Sequence, residues 1–171
     1  MILLSKLATF NAMNVDAVLE SFERHQVDAI LIGGMNFLLR HQPVLTFDID
    51  FWVKDTDDNL SRLASALRAL GAEWGKSEEA WGPLPKGHDW LRTQNIFCLT
   101  TPHGAVDIFR TVEGLDGQYE ACKARCSLER SKGGIPYHSL SDQDMLACQL
   151  ALPENMRRLD RTNYLKNLLG L

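Results

Sequence analysis

The chain has 171 residues, of which 45% are hydrophobic and 23% are charged, and its formal net charge is −4. This composition fits a single folded domain over residues 1–171 and excludes a disordered tail, a collagen-like fibre and a disulfide-stapled miniprotein. A slightly acidic chain is also a poor general coat for nucleic acid, because phosphate binding depends on clustered lysine and arginine.

The chain opens with the pattern of a helix followed by a buried strand. Apolar residues three and four positions apart predict a helix from Asn14 onward, since asparagine is a common N-cap residue. The apolar run at 28–32 predicts a buried strand that stops abruptly at Gly33 and Gly34. A short helix over 35–40 follows, so the two glycines link the strand to the helix.

A second strand is predicted at 46–53, where apolar and polar residues alternate. Its polar side carries Asp48 and Asp50, whose Cα atoms would lie about 6.5 Å apart by the rise of a strand. Capping residues then introduce a helix with leucines at helical spacing, which ends at Gly71.

The second half of the chain begins with a loop over 76–88, which contains glycines and prolines close together. Two β-rich runs at 95–100 and 105–109 flank a Pro-His-Gly turn and predict an antiparallel hairpin. The remaining predicted elements are a helix near 117–128, a short strand near 135–138, a helix from Ser141 and a final helix over 154–169. Together these elements predict an α+β (α/β) fold.

The sequence shows no segment for a membrane or for export. No apolar run reaches the roughly 18 residues of a membrane helix, and Met1-Ile2-Leu3-Leu4 is too short, and too soon followed by Lys6, for an export signal. We therefore expect a cytoplasmic protein with no membrane partner. No C-x-x-C pair is present, so we expect four reduced cysteines, which are Cys98, Cys122, Cys126 and Cys148.

Three aspartates are the candidate metal ligands. Asp48 and Asp50 point to the same side of one strand, where their charges repel each other unless a cation lies between them. Asp107 repeats the pattern on a second strand, and if the hairpin lies beside the first strand the three carboxylates converge. Such a group could hold two divalent ions for a phosphoryl transfer, and oxygen ligands favour Mg²⁺ or Mn²⁺ over zinc. The alternative is a solvated strand face for the pair and a plain surface residue for Asp107.

The bend at Gly33 and Gly34 is the candidate phosphate site. A strand that turns directly into a helix at two glycines exposes backbone N–H groups at the positive end of the helix. Asn36 and Arg40 could add side-chain contacts to a phosphate. The alternative explanation for the two glycines is an ordinary tight turn.

These features together resemble the nucleotidyltransferase (polymerase β-like) superfamily, especially its bacterial minimal and abortive-infection-type members. The resemblance covers about residues 14–150 and rests on Gly33, Gly34, Thr46, Asp48, Asp50 and Asp107. It implies a mixed β-sheet with helices packed on it, followed by a short C-terminal helical segment. It also implies transfer of a nucleoside monophosphate from an NTP to a hydroxyl of RNA, protein or a small molecule.

The resemblance assigns roles to individual residues. Gly33 and Gly34 would contact the triphosphate, with Asn36, Arg40 and Thr46 completing the nucleotide site. Asp48 and Asp50 would bind Mg²⁺ or Mn²⁺, and Asp107 would assist a metal or act as the general base. The abortive-infection-type relatives further imply a toxin that works with an antitoxin partner.

Two positions depart from the pattern of the family. Relatives often carry basic residues where this chain has Val44 and Gln149, and less positive charge weakens NTP binding. A catalytically inactive binding module with the same fold is therefore the competing hypothesis. A metal-dependent glycosyltransferase with an Asp-x-Asp pair is a third, for which 171 residues are few. The basic residues that could restore the charge are Arg40, Arg157, Arg158 and Arg161.

Overall fold

The computed structural model describes residues 13–171, which form six α-helices and eight β-strands. The helices are α1 Val15–Arg24, α2 Gly33–Arg40, α3 Asp57–Ala69, α4 Tyr119–Arg125, α5 Asp142–Ala151 and α6 Leu159–Leu169. The strands are β1 Ala29–Ile32, β2 Asp48–Val53, β3 Glu73–Trp74, β4 Gly82–Pro83, β5 Ile96–Thr101, β6 Gly104–Phe109, β7 Ser127–Arg130 and β8 Pro136–Ser139. Single 3₁₀ turns occur at Asp89–Arg92 and Glu154–Met156.

The eight strands form one mixed sheet in the order β4-β3-β5-β6-β2-β1-β8-β7. The pairs β2·β6 and β1·β8 are parallel, and the other pairs are antiparallel. The predicted hairpin at 95–109 is confirmed as β5 and β6, and β6 lies directly beside β2. The fold class expected from the sequence, α+β with a mixed sheet, is therefore confirmed.

The alternation of β2 divides its side chains between the two faces of the sheet. Ile49, Phe51 and Val53 are almost completely buried in one apolar cluster, which also contains α1 and α3 side chains. Trp52 points to the opposite face and packs in a second cluster with Phe37 of α2. Asp48 and Asp50 share the face of Trp52, because they occupy alternate positions of the same strand.

The helix starts follow the capping chemistry of the sequence. The side chains of Asn14 and Ser141 accept hydrogen bonds from backbone N–H groups three residues ahead, as their residue types predict. Helix α2 instead begins at Gly33, two residues earlier than expected. Gly33 has a φ of +69°, a conformation that glycine adopts readily, and the strand therefore turns into the helix with no linker.

The C-terminal region differs from the predicted single helix over 154–169. A 3₁₀ turn at Glu154–Met156 is followed by two extended residues, and α6 begins only at Leu159. The Arg157 guanidinium donates to the carbonyls of Leu150 and Leu152 at 3.0 and 2.9 Å, which ties the extended residues to the end of α5. This connection folds α6 back against α5.

The other differences concern short strands. The predicted helix near 117–128 ends at Arg125, because residues 127–130 form β7 and pair with β8. Strands β3 and β4 were not predicted, and each has only two residues, too few to show a periodicity of two. All four cysteines are free, in agreement with the sequence. Among residues 13–171 we find no helix with the length and apolar character required to cross a bilayer.

Candidate active site

The three predicted aspartates converge on one side of the sheet. Because β2 and β6 are parallel neighbours, Asp50 lies opposite Asp107 in the register, and Asp48 lies opposite Ala105. One carboxylate oxygen from each aspartate lies within 4.8 Å of the corresponding oxygens of the other two. The prediction that the hairpin brings the third carboxylate to the first two is confirmed, and this set of oxygen donors fits a divalent cation such as Mg²⁺.

The bend lies directly against this carboxylate group through Gly33. A Cβ atom at Gly33 would lie 2.1 Å from Oδ2 of Asp50. A Cβ atom at Gly34 would lie 3.0 Å from Oγ1 of Thr46 and 3.1 Å from Nη2 of Arg161. The absence of side chains at both positions therefore lets a carboxylate, a hydroxyl and a guanidinium approach the start of α2 at the same time.

These groups line an open cavity of about 800 Å³. Its lining combines the polar and charged residues of this group with residues of the 43–47 segment, α5 and α6. Val44 and Gln149, the two positions at which the resemblance leads us to expect basic residues, both line the cavity. The predicted site residues in the lining are Gly33, Gly34, Thr46, Asp48, Asp50 and Asp107, and Arg158 and Arg161 line the cavity as well.

Asn36 and Arg40, which we expected to contact the nucleotide, lie outside the cavity lining. Asn36 is fully buried, donates through Nδ2 to the carbonyl of Leu140 at 3.1 Å and accepts from the Ser139 hydroxyl at 2.6 Å. Arg40 donates through Nε to Asp142 at 3.0 Å and through Nη1 to the same Ser139 hydroxyl at 3.0 Å. Side chains on a helix point to different sides at successive positions, so Gly33, Gly34 and Phe37 of α2 line the cavity while Asn36 and Arg40 do not. The hydrogen bonds of Asn36 and Arg40 therefore stabilise the packing of α2 next to the cavity.

This placement predicts the effect of Asn36→Ala. The substitution leaves the Ser139 hydroxyl and the Leu140 carbonyl with fewer partners in a buried region, so we expect a loss of about 2–3 kcal/mol in the free energy of unfolding. Nucleotide affinity should stay close to that of the unchanged protein. Denaturant unfolding and calorimetric nucleotide titration measure the two quantities. Normal stability together with weakened nucleotide binding would contradict this prediction and would mean that Asn36 contacts the nucleotide.

Burial and mutual repulsion raise the pKa values of two of the three aspartates. Burial, followed by the charges of Asp48 and Asp107, raises the pKa of Asp50 to about 7, against a smaller opposing effect of Arg161. Burial and the charge of Asp48 raise the pKa of Asp107 to about 6, while a hydrogen bond from the Cys98 thiol acts in the opposite direction. A cation that binds among these carboxylates must therefore displace protons near neutral pH.

We expect Mg²⁺ affinity to rise with pH between about pH 5 and about pH 8 and then to level off. The carboxyl of Asp50 has a pKa of about 7, so below that pH it is protonated and a poor ligand. Below the pKa of a ligand carboxyl, the proton that Mg²⁺ must displace lowers the Mg²⁺ affinity about tenfold per pH unit. Calorimetric titration with Mg²⁺ in two buffers measures both the affinity and the protons released. An Asp116→Asn control, on an exposed residue, should keep the slope, whereas a flat profile in the unchanged protein would contradict the expectation.

The structure adds two residues whose placement the sequence did not decide. Cys98 lies opposite Asp107 in the β5·β6 register, and only the pairing of those strands places its thiol at the site. Arg161 was one of four arginines able to supply positive charge, and the turn before α6 carries it to the bend.

No protein-family model matches the chain, and no curated protein matches it. Solved structures do match. The aminoglycoside nucleotidyltransferase ANT(2'')-Ia in complex with adenylyl-2''-tobramycin is 13% identical, with 91% of this chain and 87% of that chain covered and a TM-score of 0.55. The solution structure of the same antibiotic-resistance factor is 14% identical, with 91% and 82% covered and a TM-score of 0.58.

A candidate nucleotidyltransferase from Thermotoga maritima is similar to the same extent. It is 13% identical to this chain, with 91% of this chain and 90% of that chain covered and a TM-score of 0.52. At such low identity the likeness concerns the path of the backbone. The chain therefore has the nucleotidyltransferase fold, as the two glycines and the Asp-x-Asp strand indicated.

Proposed function

We propose that the protein is a metal-dependent nucleotidyltransferase, which moves a nucleoside monophosphate from an NTP to an acceptor hydroxyl. The observation that carries this proposal is the contact between the bend and the carboxylates, since a Cβ at Gly33 would lie 2.1 Å from Asp50. A site for phosphate oxygens and a site for divalent cations are thereby adjacent. Phosphoryl transfer depends mainly on positioning and on neutralising charge, and this juxtaposition supplies both.

Each residue of the site has a part in the proposed reaction. Asp48 and Asp50 hold the divalent ions, which when bound neutralise the charge of the phosphates. The backbone N–H groups of Gly33 and Gly34 donate to phosphate oxygens at the start of α2. Asp107 accepts the proton of the acceptor hydroxyl, whose oxygen forms a bond to the α-phosphorus while the bond to the departing pyrophosphate breaks. With a pKa of about 6, Asp107 is mostly ionised and able to accept that proton at neutral pH.

The proposed acceptor is a hydroxyl of RNA, of a protein or of a small molecule. The small-molecule case is supported by ANT(2'')-Ia, a structural neighbour described in complex with an adenylylated tobramycin. The resemblance to abortive-infection-type proteins supports an action as the toxin of a toxin–antitoxin pair. If that action depends on transfer, induced expression should arrest growth for the unchanged protein and not for Asp48→Asn.

The proposed activity is tested by incubating the protein with each α-labelled NTP, Mg²⁺ and separate pools of RNA, protein and small hydroxyl compounds. We expect label to enter one pool, and chelation of the metal should prevent it. Thermal unfolding with Mg²⁺ and NTP runs alongside, since a ligand that binds the native state raises the melting temperature. A rise without any transfer would favour the inactive binding module over the enzyme. No transfer and no rise would refute nucleotide chemistry altogether.

A further inference from the structure

Arg161 of α6 reaches across the cavity to the bend. Its Nη2 lies 3.1 Å from the position that a Cβ would take at Gly34. The guanidinium lies 5.9 Å from the centre of the Phe37 ring, and its Nη2 donates to the carbonyl of Leu45 at 3.5 Å. The charged end of this side chain is therefore held by α2 on one side and by the segment before β2 on the other.

The hydrogen-bonding capacity of this guanidinium is largely unused. Its Nε is buried and, among the residues that the structure describes, has no hydrogen-bond partner. A buried donor without a partner is energetically unfavourable, and an anion bound beside it would supply the missing acceptor. Burial lowers the pKa of Arg161 from its ordinary value, although at neutral pH an arginine still carries its charge.

The position of Arg161 relative to the aspartates defines what that ligand is. The position of a Cβ atom at Gly33 would be next to Asp50, and that of a Cβ atom at Gly34 would be next to Arg161. The bend therefore lies between carboxylates, which hold cations, and a guanidinium, which is itself a cation. An anion on the N–H groups of the bend has positive charge on both sides. The planar fork of arginine matches phosphate oxygens in particular.

We propose that Arg161 binds the phosphates of the NTP that leave as pyrophosphate, and that Arg158 assists it. This inference rests on the proposed function. The reacting α-phosphate must lie at the aspartates, so the phosphates on the Arg161 side of the bend are the β- and γ-phosphates. Arg158 is the extended residue directly before α6, and like Arg161 it lines the cavity. They supply the positive charge that Val44 and Gln149 lack.

The proposal makes the C-terminal helix part of the nucleotide site. Arg157 ties the chain to the end of α5, and this connection sets the position from which Arg161 reaches Gly34. A bound triphosphate bridges α2 and α6. Hydrogen exchange of residues 159–169 should therefore slow when an NTP binds, and it should stay unchanged when a nucleoside monophosphate binds.

The test compares Arg161→Ala and Arg161→Gln with Lys166→Ala, which removes a charge from the same helix at a residue outside the cavity lining. Binding of a non-hydrolysable NTP, of pyrophosphate and of the matching nucleoside monophosphate is measured with Mg²⁺. We expect both Arg161 variants to lose about 10- to 100-fold in affinity for the NTP and for pyrophosphate, the usual effect of losing a charge-assisted hydrogen bond. Monophosphate affinity should stay within about twofold, and Lys166→Ala should behave as the unchanged protein.

Several outcomes separate this proposal from the proposed function. Arg161→Gln keeps most of the side-chain volume, so it remains informative if Arg161→Ala unfolds. Full NTP affinity in a folded Arg161 variant, or an equal loss for the monophosphate, would overturn the role of Arg161. In that case label transfer by the unchanged protein, with its loss in Asp48→Asn, would leave the proposed function standing. Failure of the unchanged protein to bind any NTP would refute both.

Discussion

Replacing Asp48 or Asp50 with asparagine is expected to abolish nucleotidyl transfer and to leave the protein folded. Asparagine has nearly the same volume but no negative charge, so the site loses a metal ligand without a cavity being created. Loss of a ligand to the ions that would neutralise charge in the transition state lowers the rate by about 10³-fold or more. Initial rates of label transfer at saturating NTP and Mg²⁺ measure the effect, with Asp116→Asn as the control. Transfer at the normal rate by either variant would refute the proposed role of the carboxylates.

The same substitution at Asp50 is expected to stabilise the protein when no metal is present. The pKa of Asp50 is raised in the folded protein to about 7 from 3.8, so the folded state binds more protons than the unfolded state between those values. Its contribution to stability is therefore present at low pH and is lost as the pH rises to about 7. Asparagine does not ionise, so the melting temperature of Asp50→Asn should exceed that of the unchanged protein at about pH 8. Added Mg²⁺ should raise the melting temperature of the unchanged protein and not that of Asp50→Asn.

The second large effect is expected for Gly33→Ala. The new methyl group would lie 2.1 Å from Oδ2 of Asp50, so the carboxylate must leave its present position beside those of Asp48 and Asp107. The residue also has a φ of +69°, a conformation that is unfavourable for alanine by about 1–2 kcal/mol. We expect Mg²⁺ affinity and transfer to fall by about 100-fold or more, together with a lower melting temperature.

Gly87→Ala is the matched control for this prediction. Gly87 has the same φ of +69°, but a Cβ there would meet nothing within 4 Å. Both variants therefore carry the conformational penalty, and only Gly33→Ala displaces a carboxylate. Denaturant unfolding of the two variants measures the conformational penalty, and Mg²⁺ titration measures the effect of displacing the carboxylate. Equal behaviour of the two variants in both measurements would mean that the close approach of Gly33 to Asp50 does not matter.

Part of the site could be predicted because its pattern is local. Asp48 and Asp50 are two residues apart on a strand, and a periodicity of two sends both side chains to one face whatever the rest of the chain does. The strand that stops at Gly33 and Gly34 was equally visible, since glycine permits the positive φ that the direct turn into a helix requires. These two local features carried the resemblance to nucleotidyltransferases, and the fold agrees with it.

Two of the predicted site residues lie outside the cavity lining, because the direction of a side chain depends on how its helix packs. Asn36 and Arg40 follow the bend closely in sequence, yet α2 directs Asn36 into the buried hydrogen bonds with Ser139 and Leu140. The short extended stretch before α6 was also missed. It is held by hydrogen bonds from Arg157 to carbonyls at the end of α5, and helical periodicity carries no information about such contacts.

The sequence by itself determined the strand with its paired aspartates, the glycine bend and the class of chemistry that these favour. Tertiary structure alone decided that Asp107 lies opposite Asp50 and that Arg161 lies over Gly34. The reason is physical. Backbone conformation and side-chain alternation depend on neighbouring residues, whereas strand register and helix packing depend on burying apolar faces from distant parts of the chain.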